Sequence, residues 1–422
     1  MQPLPPACLP ACGVDASRIS ARRVLWFGLF VSIMVTQNAS VADASNLVVQ
    51  TKSGAVQGVN VGSVNQWRGI PYAAPPVGNL RWKPPSPLAP WAGVRDGSEF
   101  GSHCIQLDTN TTTIGSEDCL FLNVSVPVGT TSASSLPVMV HVHGGGNTFG
   151  WGYEDAHVFT NLSVVVVTLN YRLGILGFLA HPALTAEGGG SSSNYALRDQ
   201  IAALQWVQDN IAAFGGDPAN VTLFGFSAGA FDVASLMVSP LAQGLFKRVA
   251  LNPEAFWPLT GAGLGLSDVE LIGEQLAQSV GCGDALDALT CLRATPADQL
   301  VLTFGFSEID GVTDGKVLPK PVIELMQQIG GTMPMLLGGA REEWSEFLVG
   351  FVPNPMSWDQ YVLFSNNLVG EHFGAKARAL YPTSSYESIY WTWWVSASLT
   401  KTLQIVVWLW PSLRSGELSG DG

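Results

Sequence analysis

Hydrophobic residues in this chain form short continuous runs separated by polar and glycine-rich segments. The runs LPVMVHVHG (136–144) and LSVVVVTLNY (162–171) are rich in β-branched residues, which is typical of strands covered on both faces. VTLFGF (221–226), VALN (249–252) and MPMLLGG (333–339) are strand-like as well. These five runs predict the core of a buried sheet.

A segment of different period lies between the second and third runs. In residues 194–214 the apolar positions fall at spacings of four, three, three and four, which is one stripe of a helix: Leu197, Ile201, Leu204, Val207 and Ile211. AGAFDVASLMV, which follows Ser227, predicts another helix. Strands that alternate with helices predict an α/β fold with a mostly parallel central sheet and right-handed crossovers.

Three other segments complete the predicted organisation. Residues 47–61 alternate like an edge hairpin, and the proline-rich stretch 75–90 predicts an extended surface loop. GGGSSSN (188–194) predicts a mobile loop. We find no internal repeat and no clear linker, so we predict one large domain over residues 45–388.

The composition narrows the class of protein. The chain has 422 residues, of which 47% are hydrophobic and 13% charged, enough apolar material for a large core. Its 20 basic and 33 acidic residues give a net charge of 20 − 33 = −13. Since nucleic acid binding needs clustered Lys and Arg, this balance argues against nucleic acid as a partner.

The N-terminal segment resembles a targeting peptide. Arg22 and Arg23 precede the apolar run 24–35, and Ala42-Asp43-Ala44 offers a cleavage site. The run is too short for a comfortable membrane span. We therefore predict a signal peptide at 1–44, secretion, and no stable membrane span.

Four cysteines remain after that segment, and an oxidising compartment favours two disulfides among them. Three pairings are open, of which the sequence-adjacent one closes two short loops: Cys104 with Cys119 and Cys282 with Cys291. Their spacings match no zinc pattern, so we predict no metal site. Four sequons are compatible with glycosylation, although the second and fourth lie beside strand-like runs: Asn110, Asn123, Asn161 and Asn220.

The first candidate for chemistry is Ser227, in GFSAG (225–229), between a predicted strand and a predicted helix. This arrangement is typical of a nucleophile elbow, in which small residues permit a turn that exposes the serine hydroxyl. Taken alone, the pattern is common by chance. A serine nucleophile also needs a base and donors for the developing oxyanion.

The second candidate is the triple glycine of HGGG (143–146), directly after the strand 136–142. Glycine amides can approach a substrate oxygen closely, and the residue after the nucleophile, Ala228, adds a third N–H. A merely flexible loop is the alternative, and its position after a buried strand disfavours it. The sequence thus predicts a glycine loop and a serine at the same end of the sheet.

Through these motifs, the chain resembles the type B carboxylesterases and lipases of the α/β-hydrolase superfamily. The resemblance runs from about residue 46 to about residue 385. It rests on WRGIPYAAPPVGNLRW (67–82), EDCLFLNV (117–124), HGGG (143–146), NYRLGILGFLA (170–180) and the block 194–230. It implies the nucleophile Ser227, oxyanion donors Gly145, Gly146 and Ala228, an acid at Glu343, and both cysteine pairs named above.

The resemblance leaves some positions open. Glu342 and Glu346 are alternatives to Glu343. Of the six histidines only His372 follows Glu343, and its surroundings resemble a helix upstream of the family's catalytic histidine rather than the H-G-x-E setting. Residues 389–422 form a tail without family resemblance, so we expect the final strand and helix with the histidine to be missing. Phe226 and Asp232 replace the usual glutamate and a common serine.

These observations predict a secreted serine hydrolase that cleaves carboxylic esters of small molecules or lipids through an acyl-enzyme, without a cofactor. Because the sequence lacks the histidine motif that would supply the general base, a catalytically inactive form is an alternative. A non-catalytic cholinesterase-like binding or adhesion protein and a truncated gene product are the alternatives.

Overall fold

A computed structural model describes most of the chain between residues 47 and 338. The described residues are 47–109, 111–153, 162–252, 264–283, 287–305, 309, 311–329 and 333–338. The predicted signal peptide, residue 343, residue 372 and the tail lie outside them.

Thirteen strands lie in this part of the chain. They are β1 Val48–Gln50, β2 Ala55–Gln57, β3 Val59–Val61, β4 Val64–Pro71, β5 Val94–Asp96, β6 Gln106–Thr109, β7 Thr112–Ile114, β8 Phe121–Pro127, β9 Leu136–Val142, β10 Val165–Leu169, β11 Gly216–Phe226, β12 Arg248–Asn252 and β13 Met335–Leu337. All five runs that the hydrophobic pattern singled out are strands, β9 to β13.

Within the described residues, the principal sheet has eight strands in the order β13-β12-β11-β9-β10-β8-β4-β3. The strands from β13 to β10 are parallel to their neighbours, whereas β8, β4 and β3 extend the sheet by antiparallel pairing. The prediction of a mostly parallel sheet therefore holds for the half that carries the glycine loop and the serine. In the antiparallel half only β3 and β4 are joined by a short turn, whereas β4 and β8 pair although other strands lie between them in the sequence.

Burial explains why the central strands read as unbroken apolar runs. Every residue of β10 is buried, and the inward positions of β9 and β11, such as Val138, Val140 and Leu223, have no exposed surface. Strands with helices on both faces bury both sets of side chains. Burying each Val or Leu contributes about 1.5–3 kcal/mol, so this half of the sheet is the main source of stability.

Eight α-helices accompany the strands in the described part of the chain. They are α1 Gly174–Phe178, α2 Pro182–Glu187, α3 Tyr195–Asn210, α4 Ala228–Val238, α5 Leu266–Ser279, α6 Ala288–Ala294, α7 Ala297–Phe304 and α8 Val322–Ile329. The stripe predicted for 194–214 is the buried face of α3 and of the 3-10 turn Ile211–Phe214 that follows it. Helix α4 has the bounds that the sequence predicts.

A second hydrophobic cluster packs beside the main core. It joins Trp82 and the helix α1 residues Ile175 and Leu176 to side chains of α5, α6 and α7. The four described cysteines form two disulfides, Cys104–Cys119 in the main core and Cys282–Cys291 in this cluster. The sequence-adjacent pairing is thus the one found.

Two predicted loops differ in their degree of burial. The proline-rich stretch 75–90 is irregular, as predicted, but Trp82 within it is buried and donates from Nε1 to the carbonyl of Ile175. The glycine- and serine-rich loop is not a free surface segment, because residues 191–194 are buried. Asn194 there donates from Nδ2 to Val312 O and accepts at Oδ1 from Val312 N, which satisfies both polar groups of its side-chain amide.

Across the described ranges, no helix is both long enough and apolar enough to cross a membrane.

Candidate active site

Ser227 lies at the carboxyl end of β11, directly before the first residue of α4. Its backbone has φ 53° and ψ −128°, a left-handed conformation that is rare for a residue with a side chain. Its N–H donates to Asn252 O at 3.0 Å, at the end of the neighbouring strand β12. On the other side its carbonyl accepts from Ala230 N of α4 at 2.8 Å, so hydrogen bonds to β12 and α4 hold the strained backbone in place.

The small residues beside the serine are required by close backbone contacts. A methyl group at Gly225 would lie 2.4 Å from Gly229 O, and one at Gly229 would lie 2.2 Å from Val142 O on β9. Both distances are far shorter than any real carbon–oxygen contact. The two glycines of GFSAG thus let the strand, the turn and α4 approach β9 without a side chain between them.

The glycine loop follows β9 as the sequence predicts. Gly145, Gly146 and Asn147 are three successive residues with left-handed backbone, at φ 111°, 58° and 54°. The N–H groups of Thr148 and Phe149 both donate to Gly145 O, which closes a tight turn. Two glycines adopt such a conformation without strain, and asparagine tolerates it better than most residues.

The elbow and the glycine loop are in contact. A methyl group at Gly144 would lie 2.7 Å from Phe226 O and 3.1 Å from Ser227 Cβ. Among the described residues, the amides of Gly145, Gly146 and Ala228 donate no hydrogen bond. Unpaired amides beside a serine are the donors that an oxyanion site needs, although the roles of these residues stay predictions.

Tyr171, which follows β10, holds the start of the loop. Its Oη donates to His143 O at 2.7 Å and approaches Asn147 Oδ1 at 3.3 Å. Its ring stacks on the His143 imidazole with 4.3 Å between the ring centroids. One buried phenol therefore contacts both ends of the segment 143–147.

A buried carboxylate contacts the other end of the same segment. Asp232 on α4 has no exposed surface and accepts from Asn147 Nδ2 at 3.2 Å and from Gln200 Nε2 at 2.5 Å. Asn147 is fully buried too, and its carbonyl accepts from Gly174 N at 2.6 Å. The chain of contacts joins the glycine loop to α3 and α4.

Two histidines lie in and directly after the strand that carries the loop, His141 within β9 and His143 one residue beyond its end. Burial lowers the pKa of His141 to about 4, and burial likewise lowers that of His143 to about 4 although its contact with Gly144 O opposes the shift. His143 Nδ1 contacts Gly144 O at 2.8 Å, and the His141 ring packs on Phe224. Both imidazoles are neutral at pH 7 and belong to the packing of the loop.

Not every predicted site residue is described. Residue 343 and its alternatives at 342 and 346 lie outside the described residues, as does residue 372, so the acid and the base stay predictions. Phe226, the departure beside the nucleophile, is 42% exposed. Asp232, the other departure, lies within the protein rather than at an open surface.

Sequence reasoning missed the residues that support the loop. The sequence pattern does not indicate a role for Asn147, Tyr171 or Gln200, because hydrogen bonds between distant segments leave no periodic signal. The one available sign was the asparagine directly after three glycines, a residue type suited to continued left-handed backbone.

A parallel sheet with a strained serine between strand and helix, facing a glycine loop from the adjacent strand, is the arrangement of the α/β-hydrolases. Comparison with known proteins agrees. The model of the carboxylesterase family matches residues 45–397, and the chain belongs to this family. The predicted resemblance and fold are confirmed.

Three relatives are esterases. Fumonisin B1 esterase of Sphingopyxis macrogoltabida is 41% identical over 324 residues, covering 73% of this chain and 58% of that protein. Para-nitrobenzyl esterase of Bacillus subtilis (strain 168) is 36% identical over 364 residues, with coverages of 81% and 72%. Cocaine esterase of Oryctolagus cuniculus is 39% identical over 308 residues, with coverages of 67% and 56%. The chain thus spans little more than half the length of the first and third.

Solved structures show the same fold. A structure of a PNB esterase superposes with a TM-score of 0.71 at 31% identity, covering 87% of this chain and 77% of that one. A carboxylesterase of Geobacillus stearothermophilus gives a TM-score of 0.67 at 33% identity, with coverages of 76% and 68%.

Proposed function

We propose that this protein is a serine hydrolase that cleaves carboxylic esters. The observation that carries the proposal is the contact between the strained Ser227 turn and the glycine loop with its unpaired amides. Strain at a buried turn persists only where the surroundings hold it, and it is concentrated at functional sites. Membership of the carboxylesterase family supports the same reaction.

In the proposed reaction, Ser227 Oγ attacks the ester carbonyl carbon and its proton passes to a general base. The negative charge that develops on the carbonyl oxygen is stabilised by the amides of Gly145, Gly146 and Ala228. The tetrahedral species expels the alcohol, which takes up the proton, and leaves an acyl-enzyme. Water then attacks the acyl carbon and releases the acid and the free serine.

We assign the acid that orients the base to Glu343, on its position in the family motif, and assign the base to no described histidine. His141 and His143 are buried and neutral, and His143 is already engaged with Gly144 and Tyr171. His372 lacks the sequence setting of a catalytic histidine. A chain without the base would retain roughly 10³–10⁴-fold catalysis over water from the oxyanion donors and binding.

We propose that the substrates are esters of small molecules or lipids. The names of the esterase relatives support small-molecule esters. We also propose secretion, because two disulfides are typical of an oxidising compartment and the first 44 residues read as a signal peptide.

A fluorophosphonate probe and a series of p-nitrophenyl esters from acetate to laurate test the proposal on the full chain. We expect one adduct per chain, located on Ser227 by peptide mass, and no adduct with Ser227→Ala. His372→Ala is the matched histidine variant, and we expect labelling to be unchanged by it. Equal labelling of wild type and Ser227→Ala would refute the proposal.

Hydrolysis rates then separate the two forms of the hypothesis. Turnover at ordinary esterase rates would show that a base is present, whereas slow hydrolysis with an adduct at Ser227 would indicate the inactive form. A folded protein that takes up no probe would favour a binding or adhesion role.

A further inference from the structure

Asp232 places a carboxylate in the interior of the protein, where neighbouring groups must stabilise it. It lies five residues after Ser227 on α4, with no exposed surface. Moving a carboxylate out of water is costly unless hydrogen bonds compensate for the lost hydration. Its donors include the side-chain amides of Asn147 and Gln200, one from the glycine loop and one from α3.

Asn147 is the residue through which the carboxylate reaches the loop. It comes directly after Gly146 and continues the left-handed backbone at φ 54°. A non-glycine residue adopts this conformation only when its surroundings hold it there. Both ends of its side-chain amide are engaged, since Oδ1 lies 3.3 Å from Tyr171 Oη and Nδ2 donates to Asp232.

From this geometry we infer that Asp232 is a positioning residue for the glycine loop. Its carboxylate holds Asn147, and Asn147 holds the left-handed turn of Gly145 and Gly146 beside Ser227. The inference rests on the proposed function and deepens it. Asp232 itself touches neither the substrate nor the reacting atoms.

The consequence is specific to the chemical step. If the loop amides lose their position, a substrate still enters but the developing oxyanion is less well stabilised. Loss of one oxyanion donor costs roughly 10²–10³ in kcat, and a small misplacement costs about 10². Binding of the uncharged ester depends less on these donors, so kcat should fall while KM changes little.

The neighbouring amide provides a conservative variant. Gln200 Oε1 is buried and has no hydrogen-bond partner among the described residues. In Asp232→Asn, a rotated Gln200 amide can present Oε1 to the new Nδ2, while the new Oδ1 still accepts from Asn147. This variant keeps the hydrogen bond to Asn147 and removes the charge.

The test compares five full-chain variants with wild type: Asp232→Ala, Asp232→Asn, Asn147→Gly, the double variant Asp232→Ala with Asn147→Gly, and the control Asp209→Ala. Asn147→Gly permits the left-handed backbone but has no side chain to hold. Asp209 carries a carboxylate on α3 that pairs with Lys52 at the surface. Each variant is assayed for kcat and KM, for probe labelling, and for hydrogen exchange of the peptide 143–149.

We expect Asp232→Ala to lower kcat about 100-fold with KM within about twofold, and to speed exchange in 143–149. Asp232→Asn should retain most of the wild-type kcat. The double variant should be no slower than the slower single variant, because both changes cut one tether. Asp209→Ala should alter none of these measurements.

The inference is overturned if Asp232→Ala leaves kcat and loop exchange unchanged, or if its effect multiplies with that of Asn147→Gly. If Asp232→Ala does not fold, kcat and the hydrogen exchange of 143–149 in Asn147→Gly and Asp232→Asn test the inference instead. If wild type neither hydrolyses esters nor is labelled at Ser227, the proposed function fails. Hydrogen exchange of 143–149 alone then tests whether Asp232 positions the loop through Asn147. Faster exchange in both single variants supports it, and wild-type exchange refutes it.

Discussion

The two halves of the candidate site are built differently. The serine turn is held by backbone in close contact: Gly225 against Gly229, Gly229 against Val142, and Ser227 N–H on Asn252 O. The glycine loop is held by side chains from two other segments, through Tyr171 and Asp232. A turn held by backbone packing tolerates no added atoms, whereas a loop held by side chains depends on residues far away in the sequence.

The first prediction breaks the serine turn, and we expect the largest effect there. In Gly229→Ala the new methyl group meets Val142 O at 2.2 Å and His143 O at 2.6 Å, both backbone atoms of adjoining chain. Because these atoms cannot rotate away, α4 must shift. We expect the free energy of unfolding, measured by chemical denaturation, to fall by about 3 kcal/mol, and labelling of Ser227 to be lost.

Gly129→Ala is the matched control, since Gly129 has φ 89° and open space around it. It should cost only about 1 kcal/mol for the strained backbone. Equal costs for the two variants would show that the close contact is not what makes Gly229 necessary.

The second prediction concerns a region that contributes to neither half. Cys282 and Cys291 lie in the second hydrophobic cluster, separated by nine positions in the sequence. Replacing both by serine should lower the free energy of unfolding by about 2–3 kcal/mol through the larger entropy of the unfolded chain. Probe labelling at 25 °C should stay at the wild-type rate, and a lost adduct would mean that this cluster supports the site.

The third prediction concerns how the free energy of unfolding depends on pH through the two histidines in and beside β9. Burial holds the pKa of His141 and of His143 at about 4, below the ordinary value of 6.5, so the unfolded chain binds protons first as the pH falls. The stability that these neutral imidazoles contribute is complete above pH 6.5 and is lost as the pH falls towards 4. At pH 5 the loss should be about 2 kcal/mol for each histidine.

Denaturation at pH 7 and pH 5 measures this loss. His143→Asn keeps a neutral donor at the position without a group that titrates in this range. The variant should show about 2 kcal/mol less pH dependence than wild type, and an unchanged dependence would place the acid sensitivity elsewhere.

The fourth prediction has the smallest expected effect. Phe226 precedes Ser227 but is 42% exposed, so Phe226→Ala should change the free energy of unfolding by no more than about 0.5 kcal/mol. Its position beside the nucleophile makes KM for the longer p-nitrophenyl esters the quantity to measure. A loss of stability comparable to that of Gly229→Ala would contradict the contrast between backbone and side chains.

The elements of the sheet and its helices were largely predictable, and the reasons are local. Helix α4 has the predicted bounds because its small and apolar residues directly follow a turn that only glycines permit. By contrast β11 begins at Gly216, five residues before the apolar run, because its first residue pairs with Leu136 across an irregularity in register. Residues 191–194, predicted as part of a mobile loop, are buried because Asn194 bonds to Val312, 118 positions further along the chain.

The strand β11, the serine turn and the glycine loop could all be predicted from the sequence, since each depends on residues within a few positions of one another. The family could be predicted as well, through motifs that are continuous in the chain. The contact of the Asp232 carboxylate with Asn147, and the position of Tyr171 across the loop, became apparent only in the folded structure. Hydrogen bonds between segments depend on where the packed sheet brings them, and neither hydrophobic period nor motif spacing records that position.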